Sequence, residues 1–382
     1  MPNPNAFVSS VIRFEPPLDR APAEMLRAER GLSVELEGGR RVRLDPANPR
    51  SVGFIQILDG LSKQRISVYL EVDPATSTVT RVLIPHVTRV VDVKPGEHGL
   101  EVELQMSHAR HLLRRDTRDF AELERQLREA IRKGNVVIVA EDDAHNIIDV
   151  RGFSPGTGGP PIPDLPPFPK PKTPKWPWPF NWLRDLWLWR CWPWWWFSFR
   201  CMSPARAQQV FDAMAATNCN PLTVPPPCIP FMYPDDGCWG RAHEMCRLMI
   251  AMGVSPKKVW IEKSGPYLHA NTRNNPQCFV EWNWHVAPTI CVRRWRCWCL
   301  FSYEAVIDPA LFTTPVSKAT WKGAQNNPGA TLTDSDWTIF YLWGSVTDPT
   351  FAQTNVVLAT YRAQLQLRSQ SSVGPPPYAN CP

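Results

Sequence analysis

The residues in this sequence best placed to do chemistry lie in PDDGCWGRAHEMCRLMIAMG, residues 234–253. The pattern predicts a helix from about Gly237 to Met252. Asp235 or Asp236 is expected to cap it, with Cys238 in its first turn. A thiol there meets the positive end of the helix dipole and free backbone amides. Both favour the thiolate, and the same amides can hold an oxyanion developing on a carbonyl oxygen. The alternative is that Cys238 is a half-cystine like its neighbours.

A nucleophilic thiolate needs a base, and the base needs a group that orients it. Past residue 152 the histidines are His243, His269 and His285. His243 lies five positions after Cys238, about 140° round the helix, and points elsewhere. His269 sits in a polar loop. His285 lies in the aromatic strand EWNWHV, which can hold a ring rigidly against a helix terminus. Asp308 ends a strand at VIDP, where Pro309 helps fix the turn. Glu304 and Asp334 are weaker candidates. In chain order, Cys238, His285 and Asp308 supply a nucleophile, a base and an orienting carboxylate. The plainer reading is a structural histidine and an ordinary Asp-Pro turn.

Metal chemistry is the other use of such residues. Cys291, Cys297 and Cys299 give C-x5-C-x-C, a poor zinc spacing, and disulfides are expected instead. His86, His98, His108, His111 and His145 in the first part fit no ligand pattern. They are read as solvated surface, with His108 and His111 near a helix start. Neither a Gly-rich phosphate loop nor an HExxH motif occurs. No metal and no cofactor is expected.

The elements that must position these residues fall into two chemically distinct parts. All 11 cysteines lie at or after Cys191 and all 18 tryptophans at or after Trp176, so the parts are expected to keep separate cores. Residues 1–152 read as a small, mostly β domain. Its strands are SVELE, RVRL, GFIQIL, RISVYLEV, TVTRVLI, TRVVDV and LEVELQM, followed by one helix over 116–133 and a return strand NVVIVA. Asp116 or Thr117 is expected to cap that helix and Gly134 to stop it. Residues 153–202 form a linker or arm. With 11 prolines in 153–180 its first half is an extended, semi-rigid connector. The Trp-rich 181–200 packs as an arm, meets a membrane or hydrophobic partner, or stacks on sugars. Residues 203–382 read as an α+β domain. In it CFVEWNWHVAPTICV is a strand-like run interrupted at Pro288, and NVVLATYRAQLQL is strand or helix.

Net charge is +6, and the excess lies in the second part without a basic stripe, so no nucleic-acid partner is expected. No run of about 18 apolar residues marks a membrane span. Cysteine usage favours a secreted or extracytoplasmic setting, although the N-terminus does not read as a signal peptide. Eleven is odd, so full pairing leaves at least one thiol over.

The stretch PCIPFMYPDDGCWGRAHEM, residues 227–245, resembles the bacterial protein-glutaminases, which deamidate protein-bound glutamine. WNWHVA (282–287) is similar to that family's Trp-x-Tyr-His-Val-Ala segment, with Trp284 in place of Tyr. IDPALF (307–312) is similar to its Ile-Asp-Pro-Ser-Leu-Phe segment. PVSKATW (315–321) and the tail from Tyr341 to Leu358 fit more loosely, so the resemblance covers about residues 203–382. It implies a Cys-His-Asp triad on a papain- and transglutaminase-like core. Cys238 is then the nucleophile, His285 the base and Asp308 the orienting carboxylate. Trp239 and Trp284, beside two of them, are candidates for substrate contact. The implied partner is a protein or peptide with an exposed glutamine. Rival readings are a transglutaminase, a cysteine protease with the same triad, or a disulfide-rich binding module. The family's enzymes carry an N-terminal pro-region that blocks the site. For residues 1–152 a regulatory, pro-region or binding role stays open.

Overall fold

The computed structural model describes residues 3–153, 201–220, 227–296 and 299–382, with side chains outside 295–300. The linker, the Trp-rich arm, Cys191 and Cys297 lie outside the described residues.

The first part is built on short antiparallel strands. In Leu32–Leu36 the residues Leu32, Val34 and Leu36 are buried while Ser33 and Glu35 are less so, the period of two that one covered face demands. This strand pairs with Val11–Glu15 and Arg41–Leu44. A second sheet joins Ala6–Ser9, Val68–Val72 and Val79–Leu83. A third runs in the order Ile147–Gly152, Val136–Glu141, His86–Gly96, Gly99–Leu104 and His111–Arg114.

Several local expectations are corrected. GFIQIL is not a strand but lies inside the helix Ser51–Lys63. Its buried residues Phe54, Ile55, Leu58 and Leu61 follow helical spacing, and a short apolar run does not distinguish the two periods by itself. Pro22–Ala28 is helical too, so the first part has more than one helix. The helix expected over 116–133 begins at Phe120, and Gly134 ends it in the left-handed conformation with φ 64°. Asp116 is held by the Arg114 guanidinium at 3.0 and 3.1 Å and does not cap that helix. His111 opens a strand rather than continuing a helix.

In the second part the helix Cys238–Ala251 packs on an antiparallel sheet. The sheet order is Val316–Ser317, Cys299–Val306, Trp284–Arg296, Lys257–Glu262 and Thr331–Asp336. Met245 and Met249 of the helix share a core with Ile290, Val292 and Ala305 of the sheet and with Ile307 just past its strand. The strand carrying His285 is central, which fixes its ring. Pro288 does not interrupt it: the break falls at Asn283, and Pro288 sits opposite Lys258 in register. Proline loses only its donor, and the Pro288 carbonyl still accepts the Ile307 amide at 2.9 Å.

NVVLATYRAQLQL lies within the helix Ala352–Ser369. Val357, Tyr361 and Leu365 pack against the Cys238 helix. On its other side Ala363 is buried in the core of the first part, with Val356, Ala359 and Leu367 against it. The two parts therefore meet along this helix and their cores are not wholly separate. Disulfides join Cys201 to Cys291, Cys219 to Cys228 and Cys278 to Cys381. Among the described residues no helix is long and apolar enough to cross a membrane.

Candidate active site

Cys238 is the first residue of its helix, and the residue before it is Gly237 at φ 78°. A Cβ on Gly237 would lie 2.2 Å from Tyr361 Cδ2, so both conformation and contact call for glycine. Three positions on, a Cβ on Gly240 would lie 2.5 Å from Val357 Cγ1. These glycines let the C-terminal helix press against the Cys238 turn. Neither Asp235 nor Asp236 caps the helix by its side chain. Asp236 instead accepts from the Gly237 amide at 2.8 Å and the Tyr361 hydroxyl at 2.6 Å.

The thiol of Cys238 is unpaired and buried. Burial pushes its pKa well above the ordinary value, and Asp236 and Asp308 add to the rise against Arg241 and the Val286 amide. In this closed arrangement burial favours the thiol, against the helix position, which favours the thiolate. The dipole of one helix end does not offset complete removal from water.

His285 stands beside it. One ring nitrogen of His285 and Cys238 Sγ lie within 4.8 Å of each other. His285 Nε2 is 2.9 Å from Asp308 Oδ2, and the Trp321 indole N–H donates to the same oxygen at 2.8 Å. Burial opposes ionisation of Asp308, but His285 and Trp321 hold its pKa below the ordinary value. The other ring nitrogen, Nδ1, is buried without a hydrogen-bond partner among the described residues. The structure thus brings together Cys238, His285 and Asp308, and Trp321 with them.

A segment of the first part lies directly over this group. Residues 107–110 run beside 281–283: the Asn283 amide donates to His108 O at 2.8 Å and the Arg110 amide to Glu281 O at 3.1 Å. Ser107 Oγ donates to Asp236 at 2.6 Å. His108 is fully buried, contrary to its reading as solvated surface. Its Nδ1 donates to Trp284 O at 2.9 Å, and its Nε2 accepts the Cys238 amide at 3.4 Å. The amide that could serve an oxyanion is thereby engaged by the first part.

Residues 207–325 match the family model described as glutaminase. The match is to this segment of the second part, about a third of the chain. The segment contains Cys238, His285 and Asp308. A structure of pro-protein-glutaminase is 20% identical, covering 73% of this chain and 93% of its own, with a TM-score of 0.48. A structure of protein-glutaminase is 25% identical over 48% of this chain and 98% of its own, with a TM-score of 0.36. The NMR structure of protein-glutaminase from Chryseobacterium proteolyticum is also 25% identical, over 48% and 97%, with a TM-score of 0.38. A comparison with curated proteins gives no match.

His243, His269, Glu304 and Asp334 lie apart from this site. His243 accepts from Lys258 Nζ at 2.8 Å and donates to Asp348 O at 3.3 Å. Burial and Lys258 push its pKa down to about 4. His269 faces Glu281 at 3.4 Å. Glu304 and Asp334 both bind Lys318. Trp239 and Trp284 are buried, 2% and 1% exposed, in an aromatic cluster with Trp260, Tyr341 and Trp343. The His108 ring contacts both, with centroids 6.0 and 5.2 Å away.

A second polar cluster joins the parts. Glu141 accepts from His111 at 2.6 Å, His145 at 2.7 Å and His86 at 2.9 Å. Of the five histidines read as solvated, only His98 is exposed. The others are covered because the second part and Glu141 enclose them, which the sequence of the first part cannot show. Asp235 binds Arg368, a fully buried guanidinium that also holds Asp143 at 2.9 Å. Sequence reading missed His108, Trp321 and Arg368.

Proposed function

We propose that the second part is a protein-glutamine deamidase on a papain- and transglutaminase-like core. The family match supports a hydrolase acting on the glutamine carboxamide. The observation that carries the finer reading is the placement of Cys238, His285 and Asp308 within that matched segment. A ring nitrogen of His285 lies within 4.8 Å of the thiol, and Nδ1 is left free for it because Nε2 is tied to Asp308.

In the proposed reaction His285 Nδ1 takes the Cys238 proton, and the thiolate attacks the carboxamide carbon. The oxyanion takes the place of His108 Nε2 at the Cys238 amide. The proton on His285 passes to the departing nitrogen, ammonia leaves, and a thioester forms. His285 then takes a proton from water, which attacks the thioester; glutamate is released and the thiol restored. Asp308 keeps the imidazole in the required tautomer. No cofactor enters these steps. Trp239 and Trp284 are proposed to contact substrate once His108 leaves their faces.

Residues 1–152 are proposed to act as a closing domain, with 107–110 along the edge that a substrate chain would use. Ammonia release from a glutamine-containing protein tests the reaction. Cross-linked products would assign a transglutaminase, and new N-termini a protease.

A further inference from the structure

Three side chains from the two parts converge on one point. Cys238 Sγ and one nitrogen each of His108 and His285 lie within 4.8 Å of one another, all three buried. The imidazoles are set up alike. His108 gives its Nδ1–H to the Trp284 carbonyl and His285 its Nε2–H to the Asp308 carboxylate. With those protons so placed, His108 Nε2 and His285 Nδ1 keep the lone pairs that could serve as ligands. Such an outer acceptor on the far N–H is the usual support of a metal-bound histidine.

The inward atoms are also poorly satisfied without a cation. His285 Nδ1 has no hydrogen-bond partner. His108 Nε2 has only the long contact to the Cys238 amide, and it lies 3.3 Å from Asp236 Oδ1. One nitrogen and one oxygen, each carrying a lone pair, face each other there. One thiol and two imidazoles form a donor set suited to zinc, which binds sulfur at about 2.3 Å and nitrogen at about 2.0–2.1 Å. Ligands of a tetrahedral zinc are then about 3.3–3.6 Å apart, within side-chain adjustment of the observed grouping.

We propose that the closed form binds one zinc ion, or a similar thiophilic divalent cation, through Cys238, His108 and His285. The ligation couples docking of the first part to loss of the nucleophile, since zinc holds the sulfur as a bound thiolate and covers the lone pair of His285. It departs from the expectation of no metal, because one ligand comes from a distant part of the chain and no spacing motif announces it. The metal site rests on geometry alone; that zinc silences a deamidase rests on the reaction proposed above.

The test uses the whole chain, stripped of metal with a chelator and titrated with Co2+ as a spectroscopic probe, then with Zn2+. One equivalent should bind with a thiolate-to-cobalt charge-transfer band, and zinc should displace it. Cys238→Ser should abolish the band. His108→Ala and His285→Ala should each weaken binding by about 10-fold or more. His111→Ala, in the Glu141 cluster, should keep the band. Absence of the band in the wild-type chain overturns the proposal, and that measurement needs no variant to fold. So does a band that survives Cys238→Ser, or unchanged affinity in folded His108→Ala. Failure here leaves ammonia release, the test of the reaction, unaffected.

Discussion

His108 Nε2 accepts the backbone amide of Cys238 across the boundary between the two parts, at 3.4 Å. A single ring from the first part thus occupies the donor that the proposed reaction needs for its oxyanion, and it shuts water from the thiol. Cys238 is 1% exposed in this arrangement. The closing contact and the chemistry share the same atoms.

Replacing that ring should loosen the closure. In His108→Ala, assayed with chelator present, basal ammonia release should rise about 10-fold or more over the wild-type chain, since one freed oxyanion donor is worth about 10²–10³ in rate. Equal rates in folded protein would show that the ring does not control access.

The Arg368 guanidinium joins Asp235, next to the Cys238 turn, to Asp143 of the first part. Arg368→Met leaves the buried Asp235 carboxylate without its guanidinium and frees Asp143, whose side chain is 37% exposed. Stability should fall by about 3–5 kcal/mol, read as a lower urea midpoint. A loss under about 1 kcal/mol would mean that water reaches Asp235.

Two histidines should give opposite pH responses. Burial works against a charge on His145, but Glu141 and Asp235 raise its pKa well above 6.5. Its contribution is full below about pH 6.5 and is lost as pH rises through the raised value. Burial pushes His108 well below 6.5, against Asp236 and with His285 and Arg241. Undocked, its ring takes up a proton near 6.5, so docking weakens as pH falls below that. His86, His111, Asp143 and Arg368 surround the His145 site and form a common background. Measured as melting temperature against pH, the deficit of His145→Gln should shrink as pH rises. His108→Gln should gain on wild type as pH falls. Parallel curves for all three proteins would contradict the assignment.

Non-reducing peptide mapping should recover Cys201–Cys291, Cys219–Cys228 and Cys278–Cys381, with Cys238 and Cys246 as thiols. A disulfide to Cys238 in active protein would remove the nucleophile. Because Ala363 sits in the core of the first part, one proteolytic cut within 153–200 should leave the two pieces co-eluting on gel filtration. Separate elution would show that the Ala352–Ser369 contacts do not hold them.

What could be read from the sequence was whatever depends on near neighbours. The Cys238 helix is fixed by its own apolar spacing and by Gly237, so its span was legible within a residue. Strands with a period of two, such as Leu32–Leu36, were legible for the same reason. GFIQIL was not, because two apolar pairs flanking Gln56 fit either period, and only packing of Phe54 and Leu58 decides. The reach of His285 to Asp308 came from chemical need joined to family likeness. The position of His108 had no such guide. It depends on how one part of the chain folds over another, as does the burial of Arg368, and no local pattern records that.

The most direct measurement is ammonia release from a glutamine-containing protein by the whole chain after protease treatment to degrade residues 1–152, beside the same preparation of Cys238→Ala. The wild-type preparation should release ammonia, and each modified glutamine should gain the mass difference between an acid and its amide, without new N-termini or cross-links. Cys238→Ala and His285→Ala should lose on the order of 10⁶-fold, and Asp308→Ala on the order of 10⁴-fold. Ammonia release by Cys238→Ala at the wild-type rate, or none from wild-type protein whose second part remains folded, would contradict the account.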